Sequence, residues 1–178
     1  MGLNAIRIEA LTDKSMPRNG PGRAGNGNFA LSDIRVFAAN KKGGQRVPVK
    51  LINPKATHQQ NTAGLSVASS IDGDKRKSGW AVDFGGIGKE QAAVFEFATP
   101  VGFEGGTILT VEMDFFVNPS HTIGRPRLAV TVAPRPVAIN GNSSAASMAT
   151  LLTAVKQAGS VEKLEAKQRA ALLKIYRT

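Results

Sequence analysis

Ile71-Asp-Gly-Asp-Lys-Arg-Lys-Ser-Gly-Trp-Ala-Val-Asp83 brings together the only tryptophan of the chain, three successive cations and two closely spaced aspartates. Asp-Gly-Asp predicts a turn, because Gly73 tolerates a positive φ and aspartate side chains can hydrogen-bond to nearby backbone. The aromatic and β-branched residues from Trp80 onward predict the beginning of a strand. We therefore expect a charged loop that leads into a strand through a large aromatic residue.

The composition around this stretch favours one domain of ordinary size with an appendage. The chain has 178 residues, enough to bury a core without covalent cross-links. It has no cysteine, which excludes thiol nucleophiles, zinc–thiolate sites and disulfides. No apolar run approaches about eighteen residues, the length that would span a bilayer.

The formal net charge of +10 favours a polyanionic partner: nucleic acid, an anionic membrane face, or an acidic polysaccharide. Nucleic-acid-binding proteins usually add aromatic stacking platforms or a helix that reads a groove. This chain has one Trp, one Tyr and eight Phe, and its phenylalanines lie mostly in apolar, strand-like runs. We therefore expect no nucleic-acid or membrane partner and favour the polysaccharide.

Alternating apolar residues predict strands along the first 134 residues. The segments are Leu3 to Leu11, Phe29 to Ala39, Val47 to Leu51, Gln91 to Phe97, Thr107 to Phe116 and Leu128 to Val132. Pro48 suits an edge strand, because proline has no backbone N–H to donate. Six or more strands with Gly/Pro-rich connections predict a mainly β fold, an antiparallel β-sandwich or jelly roll.

A change in composition predicts a division after Pro134. We assign 1–134 to the β-sandwich, 135–142 to a linker and 143–178 to a short C-terminal helical extension rich in Ala, Leu, Lys and Glu. Its apolar spacing favours two helices broken at Gly159, with Ser160 as the N-cap of the second.

Several motifs, in order along the chain, resemble a known domain. They are Ile6-Arg-Ile-Glu-Ala-Leu11, Gly20-Pro-Gly-Arg-Ala-Gly-Asn-Gly-Asn-Phe29, Gly79-Trp-Ala-Val-Asp83, Ala92-Ala-Val-Phe-Glu96, His121-Thr-Ile-Gly-Arg-Pro-Arg127 and the closing Gln168-Arg-Ala-Ala-Leu-Leu-Lys-Ile-Tyr-Arg177. The chain resembles the carbohydrate-binding-like domain of large planctomycete-type cytochrome-associated proteins of unknown function. The Asp-Gly turn before a tryptophan also resembles discoidin-type jelly rolls of the galactose-binding-like class. Pro126 departs from the pattern, where phenylalanine is usual.

The resemblance implies a glycan-binding module that lies outside the cell or in the periplasm, beside other domains of a larger protein. Lys75, Arg76 and Lys77 could supply charge to a sulfate or carboxylate, with Trp80 as the flat face for a sugar ring. The alternatives are that the cations form a solvated loop and that Trp80 belongs to the core.

Two further groups of residues are candidate ligand contacts. His121, Arg125 and Arg127 form a second basic cluster, whose alternative is cross-strand pairing with Glu9, Asp33 or Glu96. Arg23 either holds the carbonyl groups of its Gly/Asn-rich loop or points to a ligand together with Asn26 and Asn28.

The stretch that begins at Ile71 also suggests a structural Ca²⁺ ion. Asp72, Asp74 and Ser78 could supply clustered oxygens, with Glu9 as a distal ligand, because hard cations prefer such ligands. The intervening cations oppose this, and a turn without metal is the alternative.

Few groups favour catalysis. The only histidines are His58 and His121, and the chain has neither a Gly-x-Ser-x-Gly motif nor a cysteine. A pair of carboxylates about 5–10 Å apart, as in glycosidases, is left open by the sequence. We expect a non-catalytic module rather than an enzyme.

The function expected from these features is recognition of an acidic polysaccharide, of the chondroitin sulfate, sulfated fucan, carrageenan or alginate type. The alternative is a docking or structural module that positions neighbouring domains of its parent protein. The apolar positions of the C-terminal extension support that alternative, because an apolar stripe must bury against something.

Overall fold

The computed structural model describes residues 2–139 and the isolated positions 153, 155, 156 and 159. This part of the chain is mainly β, and its strands pair antiparallel. The strands are β1 Leu3–Leu11, β2 Ala30–Leu31, β3 Asp33–Asn40, β4 Val47–Val49, β5 Leu51–Ala56, β6 Trp80–Ala81, β7 Gln91–Val101, β8 Thr107–Asp114 and β9 Arg125–Thr131. The expectation of a mainly β, antiparallel fold is thus confirmed.

Short 3-10 turns interrupt two of the connections, at Pro17–Asn19 and Ala68–Ile71. No helix in the described part of the chain is long and apolar enough to cross a membrane. One compact unit comprises Met1–Ile139 and a second Asn140–Thr178. The helical extension predicted for 143–178 falls, apart from the four isolated positions, outside the described residues.

The strands form three sheets. The four-stranded sheet has the order β5-β7-β1-β9, the three-stranded sheet β4-β3-β8, and β2 pairs with β6. In β1 the side chains alternate as the sequence predicts: Ile6 and Ile8 are buried on one face, whereas Arg7 and Glu9 occupy the other.

Apolar side chains from all three sheets share one core. They are Ile6 and Ile8 of β1, Ile34 and Val36 of β3, Phe95 and Phe97 of β7, Leu31 of β2 and Trp80 of β6. Burying a side chain the size of Phe95 or Phe97 stabilises a fold by about 1.5–3 kcal/mol. Trp80 meets Phe29 edge to face, with ring centroids 4.9 Å apart, so the aromatic residue of the Ile71 stretch lies within this core.

Residues just beyond β9 cover the other face of the four-stranded sheet. Val137 is buried against Ala5 and Val94, and Arg135 Nη1 donates to the carbonyls of Phe97 and Ala98 at 2.8 and 2.9 Å. The first half of the predicted linker therefore packs on the strands, in a segment that we define as the 133–139 strap.

The buried carboxylate of Glu96 anchors this strap. It accepts hydrogen bonds from the Val137 backbone N–H at 2.8 Å and from Asn53 Nδ2 at 3.0 Å. Burial raises the pKa of Glu96, but these hydrogen bonds and the nearby Lys55 ammonium outweigh burial and hold the pKa below its usual value.

Four long connections gather at one end of the sheets, which we call the loop end: 12–29, 57–79, 82–90 and 115–124. The strand registers require this, because Leu11 pairs with Arg125, Ala10 with Gln91, and Asp33 with Asp114. The loop end contains most of the predicted ligand residues, whereas Glu9, Trp80, Arg125 and Arg127 lie in strands.

Candidate ligand-binding site

The Gly/Asn-rich loop 12–29 is an ordered part of the loop end. Gly22 N donates to Gly27 O at 2.8 Å, and Arg23 N donates to Thr122 O at 2.9 Å. A Cβ atom on Gly22 would lie 1.9 Å from the Asn28 carbonyl oxygen, so only glycine fits there. Backbone hydrogen bonds therefore tie this loop to itself and to 115–124.

The polar residues predicted in this loop mainly hold the loops together. Arg23 Nη2 donates to the Gly124 carbonyl at 3.3 Å. Asn26 Nδ2 donates to Asp83 Oδ2 at 3.0 Å, and its Oδ1 accepts from Asn28 N at 3.1 Å. Both polar atoms of Asn26 are thus engaged within the protein, whereas the Arg23 side chain is exposed and still accessible to a ligand.

The Asp-Gly-Asp segment forms the predicted turn. Asp72 Oδ1 accepts from Asp74 N, and Asp72 Oδ2 accepts from Ser78 Oγ, both at 2.7 Å. Asp74 Oδ1 accepts from the backbone N–H groups of Arg76 and Lys77 at 2.9 and 3.1 Å, and these bonds lower its pKa. The turn therefore closes through its own side chains.

Glu9, the predicted distal calcium ligand, lies on β1 between two arginines. Its Oε1 accepts from Arg7 Nε at 3.0 Å and its Oε2 from Arg127 Nε. The hydrogen bond from Arg127 is the main cause of the lowered pKa of Glu9. Within the described residues no group of three or more His, Asp or Glu side chains is arranged to hold a metal ion. Calcium stays a prediction, which a thermal melt with and without chelator would test.

Trp80, predicted as either a sugar platform or a core residue, is fully buried. Its Nε1 donates to the His58 carbonyl at 2.8 Å. Because neither face of the indole reaches solvent, Trp80 cannot stack on a sugar. It is a core residue, as its alternative interpretation expected, and not a ligand contact.

The remaining predicted cations differ in how far they are engaged. Lys75 Nζ lies 3.2 Å from Asp114 Oδ2, and Arg125 Nη1 lies 2.8 Å from Asp13 Oδ2. Arg127 pairs across the strands with Glu9, as its alternative interpretation expected. Exposed pairs are worth about 0–1 kcal/mol, so Lys75 and Arg125 can exchange their carboxylates for a stronger anion.

Arg76 and Lys77 are exposed at the tip of the Ile71 stretch. Their backbone N–H groups hold the turn, and within the described part of the chain their charged groups form no ion pair. His121 is half-buried, with Nδ1 hydrogen-bonded to the Pro119 carbonyl at 2.8 Å. Arg76 and Lys77 are therefore the predicted cations best placed to meet a ligand.

A groove beside these cations was not predicted. It has a volume of about 490 Å³ and is lined by parts of β3, the segment 48–51, Gly73 and Lys75. On its wall Arg35 is surrounded by the carboxylates of Asp33, Glu112 and Asp114, which raise its pKa. Alternating charges in β3 and β8 were the only sequence signal for this cluster.

The most exposed aromatic residue that the structure describes in the loop end was also missed. Phe84 follows Asp83, is 80% exposed and adopts φ +57°. A phenylalanine inside a Gly-rich turn was the available signal. Comparison of the chain with known protein families, curated proteins and solved structures found no match, so the interpretation of this site rests on its own geometry.

Proposed function

We propose that this chain is a non-catalytic carbohydrate-binding module that recognises an acidic polysaccharide, sulfated or rich in uronic acid, through basic residues of the loop end. The observation that carries the proposal is the charge arrangement there. The loops and Arg125, the first residue of β9, carry eight cations: Lys14, Arg18, Arg23, Lys75, Arg76, Lys77, Lys89 and Arg125. The loops carry five carboxylates: Asp13, Asp72, Asp74, Asp83 and Glu90.

Internal hydrogen bonds engage most of those carboxylates. Asp72 and Asp74 close the turn, Asp83 accepts from Asn26, and Asp13 accepts from Ser15 N at 2.9 Å. The eight cations are exposed and outnumber the five carboxylates, so the loop end carries a net positive charge. An anionic chain is attracted to such a surface before any specific contact forms.

In this proposal the four-stranded and three-stranded sheets form a jelly-roll sandwich of the galactose-binding-like class. Their shared core and antiparallel registers support that arrangement. Chondroitin sulfate, sulfated fucan, carrageenan and alginate are the ligand types to which this site is suited, and the parent protein would hold the module outside the cell or in the periplasm.

Removing the two exposed cations together tests the proposal. We expect Arg76→Ala/Lys77→Ala to weaken binding about tenfold to the glycan that slows the unmodified protein in a gel, because two charge contacts of modest strength are lost. Affinity electrophoresis in gels that contain chondroitin sulfate, alginate or a neutral glucan measures this. Binding should also weaken with salt, since charges are screened over about 8–10 Å at physiological ionic strength.

Lys41→Ala/Lys42→Ala is the matched control, because it removes the same charge from an exposed hairpin at the opposite end of the sheets. It should leave most of the affinity intact. Equal losses in the two double variants would mean that net charge, not the loop end, determines binding. Equal or absent retardation of the unmodified protein in all gels would contradict the proposal itself.

The alternative function, positioning neighbouring domains of a larger protein, draws on a different surface. The edge strand β9 and the residue after it expose Leu128, Val130 and Val132 by 45–48%. The double variant Leu128→Thr/Val130→Thr separates the two functions. If the loop end is the glycan site, the variant should bind glycan as the unmodified protein does. If the variant impairs only the assembly of the parent protein, the docking function is favoured.

A further inference from the structure

Phe84 combines two features that are unfavourable for a phenylalanine, an exposed side chain and a left-handed backbone. The residue is 80% exposed, the highest value among the large apolar residues that the structure describes as exposed. Its φ of +57° lies in the left-handed region, which bulky side chains rarely adopt. Burial of the side chain explains neither feature, and backbone outliers of this kind cluster at functional sites, where the surrounding structure holds them.

The backbone before Phe84 is held by two other loops. Asp83 Oδ1 accepts from Phe84 N at 2.8 Å, and Asp83 Oδ2 accepts from Asn26 Nδ2 at 3.0 Å. The Asp83 carbonyl oxygen lies 3.1 Å from His58 Nε2. Asp83 therefore fixes the position from which the ring projects.

The backbone after Phe84 is fixed as well. Gly86 N donates to Val82 O at 3.0 Å, and Gln91 Nε2 donates to Gly86 O at 3.1 Å. A Cβ atom on Gly86 would lie 2.3 Å from Val82 O and 2.7 Å from His58 Cδ2, so the chain closes on itself there. A residue whose backbone is held from both sides loses little backbone freedom when a ligand binds it.

We propose that Phe84 is the platform on which one pyranose ring of the acidic polysaccharide stacks. The C–H face of a pyranose is apolar and weakly positive, which suits the negative face of an aromatic ring. Lys89 Nζ donates to Gly85 O at 2.9 Å and retains N–H donors for a carboxylate or sulfate on the same sugar. This assignment rests on the proposed function and names the flat contact that buried Trp80 cannot supply.

The surroundings of Phe84 favour a sugar over a protein or a bilayer. Its chain neighbours are Asp83, Gly85 and Gly86, and the side chains that hold its loop are those of Asn26, His58 and Lys89. Such polar surroundings suit the hydroxyl groups around one sugar ring. A protein interface, or a surface that inserts into a bilayer, would need a contiguous apolar patch.

The test compares Phe84→Ala, Phe84→Trp and the control Phe103→Ala by affinity electrophoresis in chondroitin sulfate, alginate and neutral glucan gels. Phe103 is a second exposed phenylalanine, 38% exposed, in the hairpin between β7 and β8 at the opposite end. We expect Phe84→Ala to weaken binding at least tenfold without lowering the melting temperature, Phe84→Trp to retain it within about threefold, and Phe103→Ala to behave as the unmodified protein.

The outcomes separate this proposal from the one on which it rests. A charged glycan that retards the unmodified protein and Phe84→Ala equally would overturn the platform and leave the proposed function intact. Retardation by the neutral glucan alone, lost in Phe84→Ala, would support the platform and overturn the acidic preference. No retardation in any gel, or cosedimentation with phosphatidylserine vesicles that depends on Phe84, would overturn both.

Discussion

At the scale of single residues, the backbone conformation of Phe84 lowers the stability of the fold, whereas its ring is the proposed contact with the sugar. Its left-handed backbone costs a non-glycine residue about 1–2 kcal/mol, and asparagine tolerates that conformation better than phenylalanine. We therefore expect Phe84→Asn to raise the free energy of unfolding by about 0.5–1 kcal/mol while it abolishes stacking. Urea denaturation measures the change. Phe103→Asn, at a residue without positive φ, should give no gain, and a gain of the same size there would remove backbone strain as the explanation.

At the scale of elements, the sequence predicted the strands that carry a regular apolar alternation and missed the contacts between loops. β1 occupies the predicted Leu3–Leu11, and β9 begins earlier than predicted, at Arg125, because it pairs with β1 from Leu11 onward. β5 was missed because a bulge at Asn53, with φ +49°, and the adjoining Pro54 hide its pattern. Loop contacts join residues far apart in the chain, so no local pattern predicts them.

The hydrogen bond from Asn26 to Asp83 is such a contact, and it joins loops 12–29 and 82–90. We expect Asn26→Ala to lower the free energy of unfolding by about 1–2 kcal/mol, because a half-buried carboxylate oxygen loses its donor. Amide hydrogen exchange at 84–89 should also become faster. Asn118→Ala, at an exposed loop position, is the matched control. Unchanged exchange at 84–89 in Asn26→Ala would show that loop 82–90 is rigid without its neighbour.

At the scale of the whole molecule, several carboxylates have a lowered pKa in the folded state, so acid should destabilise the fold. Glu9, Glu96 and Asp114 are examples, paired with Arg127, Asn53 and Arg35 respectively. A group with a depressed pKa in the folded state contributes stability above its unfolded pKa and loses it as the pH falls through the folded pKa. We expect the melting temperature to hold near neutral pH and to fall below the usual glutamate value of 4.5.

Glu96 should account for a distinct part of that fall, because its buried carboxylate holds the 133–139 strap. In Glu96→Gln the amide cannot titrate, so the variant should be less stable than the unmodified protein at pH 7 and should lose less stability between pH 5 and about pH 2. Thermal melts across that range measure both effects, with Glu104→Gln, an exposed hairpin residue, as the control. Parallel pH curves for the unmodified protein and Glu96→Gln would show that the strap is held by packing of Val137 rather than by the charge beneath it.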